Sequence, residues 1–427
     1  MWLSPLDSAE VARRLFARGA YADYLAYDDA SRERNESPRD RARAQLALQR
    51  IADAERAGRF AFAFDRKGAP IAEFVIAEQR VVATNALFAP IAEMPGGRTS
   101  RPPGGRDVRP PLTNERLETT IDAEVQQIAL DALGGARASL VAINPRTNEI
   151  LAMAGTSPHE SFEPGSVVKV LTLIAALASG VDVDSLFPFD CKGALEIDGR
   201  SFGDWRVHGT LPDVEEALAQ SCNTVFADLG LRTGRDRLRA LHQRAGFDGQ
   251  TNLGLFRVPL GRTTGEIFND FETAFYAIGL EHETVTTFHL AMLASMLANR
   301  GALTTPRLQR ARRSILGDVI EGPPNQSTIQ IAPRAAVERA IAAMQAVVTR
   351  PQGTGRRAKV DGVTLAIKTG TSGTRADGYD TVVFGFAPAE QPRIAFAVFA
   401  ENAGSAEIAG ARIVKAFIER MRDRGHL

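Results

Sequence analysis

The feature that most constrains this fold is the placement of its strand-like segments, which lie near residue 140 and again after residue 360. The early pair, 139–144 and 149–154, consists of apolar runs joined by a turn at 144–148, a pattern that predicts a hairpin. Three later segments have the same apolar character: 363–369, 381–387 and 393–400. The region between the two groups is mainly helical in its periodicity.

This spacing predicts an α/β (α+β) fold in which the early and late strands share one antiparallel sheet, with a helical segment inserted between them. Helical patterns are clearest at 215–229 and 286–298, and a terminal helix is predicted at 407–421. Residues 115–427 therefore read as one large domain.

A segment rich in proline, glycine and arginine precedes that domain. Residues 95–114 contain the run PGGRTSRPPGGRDVRPPL, which predicts an extended linker. Residues 1–94 predict a small α+β region, with a helix at 39–57 and a hairpin between 59–65 and 70–78. We find no pattern typical of catalysis in this region and expect it to serve packing or docking.

The composition excludes several classes of protein. Lys+Arg and Asp+Glu both total 51, so the net charge is zero and a general affinity for nucleic acid is not expected. No apolar run approaches the roughly 20 residues of a membrane span, and the first ten residues lack a signal pattern. The sequence by itself thus predicts neither export nor a membrane anchor.

Cys191 and Cys222 are the only cysteines among the 427 residues. Two cysteines cannot build a disulfide framework, and buried free thiols are expected rather than a single bridge between them. Because the six histidines are scattered without metal-ligand spacing, neither a metal site nor a cofactor is expected.

Lysine is rare in this chain, and two of its six lysines stand in short motifs with serine or threonine. In the first motif, Ser166 precedes an apolar helical run, and the helix dipole favours negative charge developing near its oxygen. Lys169 lies three residues on, on the same helix face. Neighbouring valines should desolvate the Lys169 amine, which lowers its pKa and makes it available as a base. This pattern predicts a serine nucleophile activated without histidine.

Two further motifs follow in order. Ser221-Cys222-Asn223 closes the helical run that begins near residue 215, and it offers a hydroxyl for proton relay and an amide for substrate binding. Lys368-Thr369-Gly370-Thr371 ends a predicted strand, where a glycine permits close approach of a substrate and the polar groups can bind a carboxylate. Chance would produce the three motifs in this order on the order of 0.001 times.

The three motifs resemble those of the penicillin-binding transpeptidases, the serine acyltransferases of peptidoglycan, in their monofunctional class B form. The resemblance covers about three-quarters of the chain, from residue 115 onward, and extends to the segments LETTIDAEVQQIALDAL, FEPGSVVKVLTLIAAL, HGTLPDVEEALAQSCNTVFADLG, HLAMLASMLANRGALTTP and IKTGTS. It implies the fold of these enzymes and of serine β-lactamases: an antiparallel sheet flanked by helices, with an inserted helical subdomain.

The resemblance also implies a role for each motif residue. Ser166 would be the nucleophile and Lys169 its base, while Ser221 would pass protons and Lys368 would set the local electric field. Substrate binding would fall to Asn223, Thr369, Gly370 and Thr371, and the backbone N–H groups of Ser166 and Thr371 would form the oxyanion hole. None of these roles requires a metal.

The expected function is that of a peptidoglycan D,D-transpeptidase that acts on D-Ala-D-Ala stem peptides and is inhibited covalently by β-lactams. A D,D-carboxypeptidase or a serine β-lactamase, using the same acyl-enzyme, is one alternative. The Glu-x-x-Leu-Asn element of one β-lactamase class is not matched, since Glu266-Ile267-Phe268-Asn269 has a different spacing. The other alternative is a non-catalytic β-lactam sensor or cell-wall scaffold, although no motif is broken.

The resemblance also bears on location, partners and local departures. It implies a periplasmic position at the outer face of the cytoplasmic membrane, and residues 1–94 would contact other cell-wall synthesis proteins. Gly279-Leu280-Glu281 stands in place of a common Gly-Gln pairing, and Asp380-Thr381-Val382-Val383 in place of an aromatic pair. Both departures bear on donor positioning rather than on the nucleophile.

Overall fold

The computed structural model of the chain describes residues 59–75, 80–84, 116–156, 158–253, 257–313, 319–374 and 378–427, with a few single residues before position 89. The strands are β1 Arg59–Phe64, β2 Pro70–Val75, β3 Arg80–Ala83, β4 Arg116–Thr119, β5 Ala138–Asn144, β6 Glu149–Gly155, β7 Ser161–Phe162, β8 Phe189–Cys191, β9 Ala194–Ile197, β10 Arg200–Gly203, β11 Gly209–Leu211, β12 Gln250–Asn252, β13 Arg257–Pro259, β14 Arg262–Thr263, β15 Glu283–Thr286, β16 Ala302–Thr304, β17 Gln309–Arg313, β18 Val319–Glu321, β19 Thr328–Gln330, β20 Ala366–Thr374, β21 Gly378–Ala387 and β22 Ile394–Ala400.

The helices of the described residues begin and end as follows: α1 Ala123–Leu133, α2 Lys169–Ala178, α3 Val214–Ala219, α4 Asn223–Thr233, α5 Arg235–Arg244, α6 Asp270–Ile278, α7 Thr287–Ala298, α8 Arg334–Thr349 and α9 Ala411–Asp423. A 3-10 helix, Gly165–Val168, leads into α2, and one π-helical turn, Ala406–Gly410, leads into α9. Within this described part of the chain, no helix is long and apolar enough to span a membrane.

The larger of two compact units contains a five-stranded antiparallel sheet in the order β20-β21-β22-β5-β6. The predicted sharing of one sheet by the early and late strands is therefore confirmed, with β22 paired to β5 across Phe396 and Ala142. The central strands are apolar on both faces because both faces are covered. Every residue of α7 is buried, and the Phe417 ring of α9 lies 5.8 Å from that of Phe396.

One edge of this sheet is closed by a side chain. Gln126 of α1 donates from Nε2 to the Met153 carbonyl oxygen at 2.7 Å and accepts the Met153 N–H at 2.7 Å. The buried amide thus satisfies the backbone of β6, which is an edge strand. The opposite edge is β20, the strand that carries the third motif.

Three local expectations differ from the structure. The strand predicted at 363–369 begins at Ala366 and continues through the motif to Thr374. The single helix predicted at 215–229 is wrong, because the chain forms α3 and α4 with a break at residues 220–222. The inserted region is also less uniformly helical than predicted, since short hairpins such as β9–β10 lie within it.

The smaller unit, within Met1–Ala123, Asn252–Arg257 and Arg307–Asn325, has a sheet in the order β18-β17-β4-β1-β2-β3. The predicted hairpin is confirmed: β1 and β2 are antiparallel, and the Asp65 carboxylate accepts backbone N–H groups in their turn. β17 comes from much later in the chain, and its Arg313 pairs with Glu118 of β4 at 2.7 Å. The helix predicted at 39–57, apart from single positions, and the 95–114 linker lie outside the described residues. The division at 94 and 114 stays a prediction.

Candidate active site

The first motif lies on a tight turn that only glycine fits. Gly165 adopts φ +57°, and a Cβ at this position would lie 2.8 Å from the Thr371 carbonyl oxygen of β20. Its N–H donates to the Gly279 carbonyl oxygen at 2.9 Å. Half-buried Ser166 follows in the 3-10 helix and therefore emerges directly beside the edge strand.

A second glycine permits the same approach from the strand side. A Cβ on Gly370 would meet the Pro164 carbonyl oxygen at 2.8 Å and the Val167 nitrogen at 3.3 Å. The backbones of β20 and of the Ser166 turn are thus in direct contact, as the glycine of the third motif suggested. This brings Gly370 and Thr371 together with Ser166.

Lys169 opens α2 and is completely buried. Its Nζ donates to the Ser221 carbonyl oxygen at 2.7 Å and to Asn223 Oδ1 at 2.6 Å, and Ser221 Oγ lies 3.4 Å away. Burial lowers the pKa of Lys169 to about 8, while the negative charge of Asp204 acts in the opposite direction. The amine can therefore give up its proton near neutral pH, as a general base must.

The second motif forms the break between α3 and α4. Ser221 adopts φ +59°, and its N–H donates to the Leu218 carbonyl oxygen at 3.1 Å. The next N–H, that of Cys222, donates to Ala217 at 3.0 Å, so the pair completes a Schellman ending. Glycine usually takes the left-handed position, and a side chain there costs about 1–2 kcal/mol. In this conformation Ser221 is buried and its Oγ lies near the amines of Lys169 and Lys368.

Asp204 holds the start of α4 from a distant loop. Its Oδ2 accepts the backbone N–H groups of Asn223 at 2.8 Å and Thr224 at 3.0 Å. Burial alone would raise the pKa of this carboxyl, but hydrogen bonding with His208 and the charge of Lys169 keep it well below its usual range. A permanent negative charge therefore lies behind the second motif.

Lys368 approaches Ser221 from the third motif. Its Nζ donates to Ser221 Oγ at 2.9 Å and to the Thr369 carbonyl oxygen at 2.7 Å. Burial and then the positive charge of Lys169 lower its pKa well below the usual value. Ser221 Oγ thus lies between two buried amines, an arrangement suited to moving a proton.

The two threonines of the third motif differ in exposure. Thr369 is buried, and its hydroxyl lies 2.6 Å from that of Thr354. Thr354 in turn donates its N–H to the Ala219 carbonyl oxygen at 2.9 Å, which connects β20 to the end of α3. Thr371 is exposed beside the Ser166 turn, and its Oγ1 accepts the Ala406 N–H at 3.3 Å. It is therefore accessible to a bound molecule.

The two departures in sequence have structural roles. Glu281, in the left-handed region at φ +66°, donates its N–H to Glu163 Oε1 at 2.7 Å and so fastens the segment before Ser166. Burial raises the pKa of Glu163. Thr381 lies opposite Thr371 in the sheet and donates to the Gly404 carbonyl oxygen at 2.7 Å.

Sequence reasoning missed Asp204, Thr354 and Glu163. Asp204 and Thr354 act on the motifs from separate segments, so no spacing along the chain marks them. Glu163 carries a weak signal, because it immediately precedes Pro-Gly in the first motif.

The chain matches the family model of the penicillin binding protein transpeptidase domain over residues 138–419. It therefore belongs to the penicillin-binding protein transpeptidase family, as the motifs indicated. The match contains all three motifs.

Named relatives agree with this assignment. The chain is 29% identical over 340 residues to the peptidoglycan D,D-transpeptidase PbpA of Mycolicibacterium smegmatis, covering 67% of each chain. It is also 29% identical over 328 residues to stage V sporulation protein D of Bacillus subtilis, covering 67% of this chain and 49% of that protein.

Solved structures confirm the fold. Penicillin-binding protein A of M. tuberculosis, solved as a ceftriaxone acyl-enzyme complex, matches with a TM-score of 0.73 at 22% identity over 87% of this chain and 99% of that chain. The D,D-transpeptidase domain of a peptidoglycan glycosyltransferase from Eggerthella lenta matches with a TM-score of 0.71 at 22% identity, over 87% of this chain and 100% of that chain. The expected penicillin-binding fold is confirmed.

Proposed function

We propose that this protein is a peptidoglycan D,D-transpeptidase that works through an acyl-enzyme on Ser166. The observation that carries the proposal is the buried Lys169 amine, which follows Ser166 by three residues and hydrogen-bonds the second motif at two points. Lys368 approaches the same second motif from β20. A buried lysine that follows a serine by three residues and contacts a second serine, beside an open strand edge, is suited to acyl transfer.

Acylation begins when the Ser166 hydroxyl attacks the carbonyl carbon between the two D-alanines. The hydroxyl proton passes to neutral Lys169, whose pKa of about 8 suits this exchange near neutral pH. The developing oxyanion is stabilised by the backbone N–H groups of Ser166 and Thr371, and each such donor contributes about 3 kcal/mol in related sites.

Collapse of the tetrahedral intermediate breaks the peptide bond and releases D-alanine. The leaving nitrogen needs one proton, and Ser221 Oγ supplies it while taking another from the adjacent lysines, which lie 2.9 and 3.4 Å away. Attack by an acceptor amine then transfers the acyl group and returns the Ser166 proton. No net proton is consumed over the cycle.

The substrate binds along β20. This strand has a sheet partner on one side among the described strands, so an extended stem peptide can run along its other side beside the Ser166 turn. The terminal carboxylate is bound by the hydroxyls of Thr369 and Thr371 within the field of Lys368, and Asn223 holds the amide of the donor. Gly370 keeps this edge clear of a side chain.

Hydrolysis by water is the main competing reaction. Asn269, the nearest sequence match to a deacylating element, is an exposed N-cap that accepts the Glu272 N–H at 2.9 Å, and Glu266 is exposed. Neither is arranged as a buried base. We therefore expect β-lactams to acylate Ser166 and remain attached; penicillin-binding protein A of M. tuberculosis has been solved as acyl-enzyme complexes with ceftriaxone and penicillin G.

A donor peptide ending in D-Ala-D-Ala, incubated with and without a D-amino acid acceptor, tests the proposal by mass spectrometry. We expect the acceptor-exchanged product, its absence in Ser166→Ala, and its retention in the surface control Ser327→Ala. A hydrolysed donor alone would identify a carboxypeptidase. Rapid loss of β-lactam with an unchanged donor would identify a β-lactamase, and no reaction would favour a scaffold.

Peptidoglycan lies outside the cytoplasmic membrane, so the proposed reaction requires the catalytic unit to reach that compartment. The periplasmic location and the docking of residues 1–94 to other cell-wall synthesis proteins remain part of the proposal.

A further inference from the structure

Four potential metal ligands meet directly behind the second motif. They are Cys191 at the end of β8, Asp204 and His208 between β10 and β11, and Cys222 at the N-cap of α4. One ligand atom from each lies within 4.8 Å of all the others. The thiols are buried, and the side chains of Asp204 and His208 are completely inaccessible to solvent.

We propose that these four side chains bind a zinc ion that fixes the second motif. Two thiolates, an imidazole and a carboxylate form a typical tetrahedral zinc set. Ligand atoms of such a site, with bonds of about 2.0–2.3 Å, lie about 3.3–3.8 Å apart. Here Asp204 Oδ2 lies 3.2 Å from Cys222 Sγ and 3.7 Å from Cys191 Sγ, close to that spacing, while His208 Nε2 lies 3.4 Å from the other carboxylate oxygen, Oδ1.

The hydrogen bonds around His208 orient its ring for a metal. Gln220 donates from Nε2 to Glu216 at 2.7 Å and accepts from Arg206 at 2.8 Å, which fixes the direction of its amide. Its Oε1 then lies 3.1 Å from His208 Nδ1 and can accept a proton from that nitrogen. Without a metal, Nδ1 can instead accept the Arg206 Nε–H at 3.3 Å, so binding a metal through Nε2 places the ring proton on Nδ1.

A proton on His208 Nδ1 leaves a lone pair on Nε2, aimed at the Asp204 carboxylate. A proton on Nε2 would instead be donated to Asp204 Oδ1, 3.4 Å away, so a metal ion takes the place of that proton. A histidine that ligates through one nitrogen and donates from the other is the usual arrangement at metal sites. The ring is thus prepared to ligate through Nε2.

Zinc binding leaves the net charge of the cluster unchanged when the released protons are counted. With both thiols in the S–H form and a neutral imidazole, the ion-free cluster carries only the negative charge of the Asp204 carboxylate. On binding, each thiol releases its proton to water, and Zn²⁺ with two thiolates and one carboxylate again carries one negative charge. The field at Lys169, which senses Asp204 and Cys222, is therefore preserved.

The ion would join two segments on which the site depends. Cys222 stands between Ser221 and Asn223, while Cys191 and Asp204 belong to the hairpin region before α3. Holding Cys222 in place stabilises the left-handed turn at Ser221. This positioning effect rests on the proposed transpeptidase function, whereas zinc binding itself does not.

A substitution at Cys191 and a control substitution at the neighbouring Asp190 give a matched test of zinc binding. The purified chain is loaded with zinc, desalted and analysed for metal, and the same is done for Cys191→Ser and for Asp190→Asn, which alters an exposed carboxylate one residue away. We expect about one zinc per chain in wild type and in Asp190→Asn, and less than a tenth of that in Cys191→Ser. Co²⁺-loaded wild type should show thiolate charge-transfer and tetrahedral d–d bands.

The proposal is overturned if the wild-type chain binds no stoichiometric zinc and shows no cobalt bands, whatever the variants do. Stoichiometric copper or iron, or an intact mass lower by two hydrogen atoms from a Cys191–Cys222 disulfide, also overturns it. Penicillin acylation is measured on the same samples, where zinc removal should slow the reaction about tenfold. Zinc bound without any acylation would refute the proposed function alone, and acylation without zinc binding would refute this site alone.

Discussion

The two turns that carry the serines of the site are built in opposite ways. The Ser166 turn depends on small residues, because Gly165 takes the left-handed conformation and the backbone of β20 lies against it. The Ser221 turn has a side chain in the left-handed position and is held by hydrogen bonds that Lys169 and Lys368 donate and that Asp204 accepts. The nucleophile is thus positioned by close packing and the proton relay by a polar network.

This difference predicts which kind of substitution will damage each turn. Added volume should damage the first turn, whereas loss of a charge or a hydroxyl should damage the second. Lys169 belongs to both, since it opens the helix after Ser166 and donates to the Ser221 turn.

The largest effect is expected from Lys169→Met, which removes the general base and two hydrogen bonds of the second turn. We expect the second-order rate of acylation by penicillin to fall about 10³-fold. Lys415→Met, at a partly exposed lysine of α9, should acylate at the wild-type rate. A Lys169→Met enzyme that retains a tenth of the activity would show that the lysine is not the base.

Gly165→Ala tests the packed turn. Its Cβ would lie 2.8 Å from Thr371, so the turn must move away from β20, and misplacement of this kind costs about 10²-fold in rate. Gly180→Ala is the matched control, because Gly180 also has positive φ, at +77°, but has nothing within 4 Å of an added Cβ. Equal acylation rates in the two variants would contradict the role of close approach.

The pH dependence of acylation tests the state of Lys169. Only the neutral amine accepts a proton, so a pKa of about 8 predicts a rate that rises as pH increases and levels off above about pH 8. Well below that value, the rate should increase about tenfold per pH unit. Stopped-flow acylation between pH 6 and 9 measures the profile. A rate that is constant from pH 6 to 8, or that decreases, would contradict this assignment.

The smallest effect concerns strain at Ser221. Glycine adopts φ +59° freely and alanine does not, so Ser221→Gly should be about 1 kcal/mol more stable to urea than Ser221→Ala. Both variants lack the hydroxyl and should lose similar amounts of acylation activity. If the two variants unfold at the same urea concentration, the turn is not strained.

Local periodicity predicted the parts of the fold that depend on burial alone. Strands β5, β6 and β22 and helix α7 have continuous apolar sequences, so their position and type followed from the residues. Apolar spacing at 215–229 continues across Ser221 and does not show the helix break there, although the second motif was predicted to close the run that begins near residue 215. Hydrogen bonds from distant side chains decide the conformation there.

The candidate site could likewise be predicted from the sequence only in part. Motif spacing led to the residues on α2, at the break and on β20, because each motif is a short contiguous string. Asp204 lies 18 residues before Cys222 along the chain, yet their Oδ2 and Sγ atoms lie 3.2 Å apart. Such a contact is produced by tertiary folding, which also explains why the four candidate ligands looked scattered in the sequence.

Intact-protein and peptide mass spectrometry after incubation with a penicillin tests the central claim most directly. We predict one adduct of the drug's mass, persisting for hours, on the peptide that contains Ser166, and none in Ser166→Ala. An adduct on another residue, or an equal adduct in Ser166→Ala, would contradict the account.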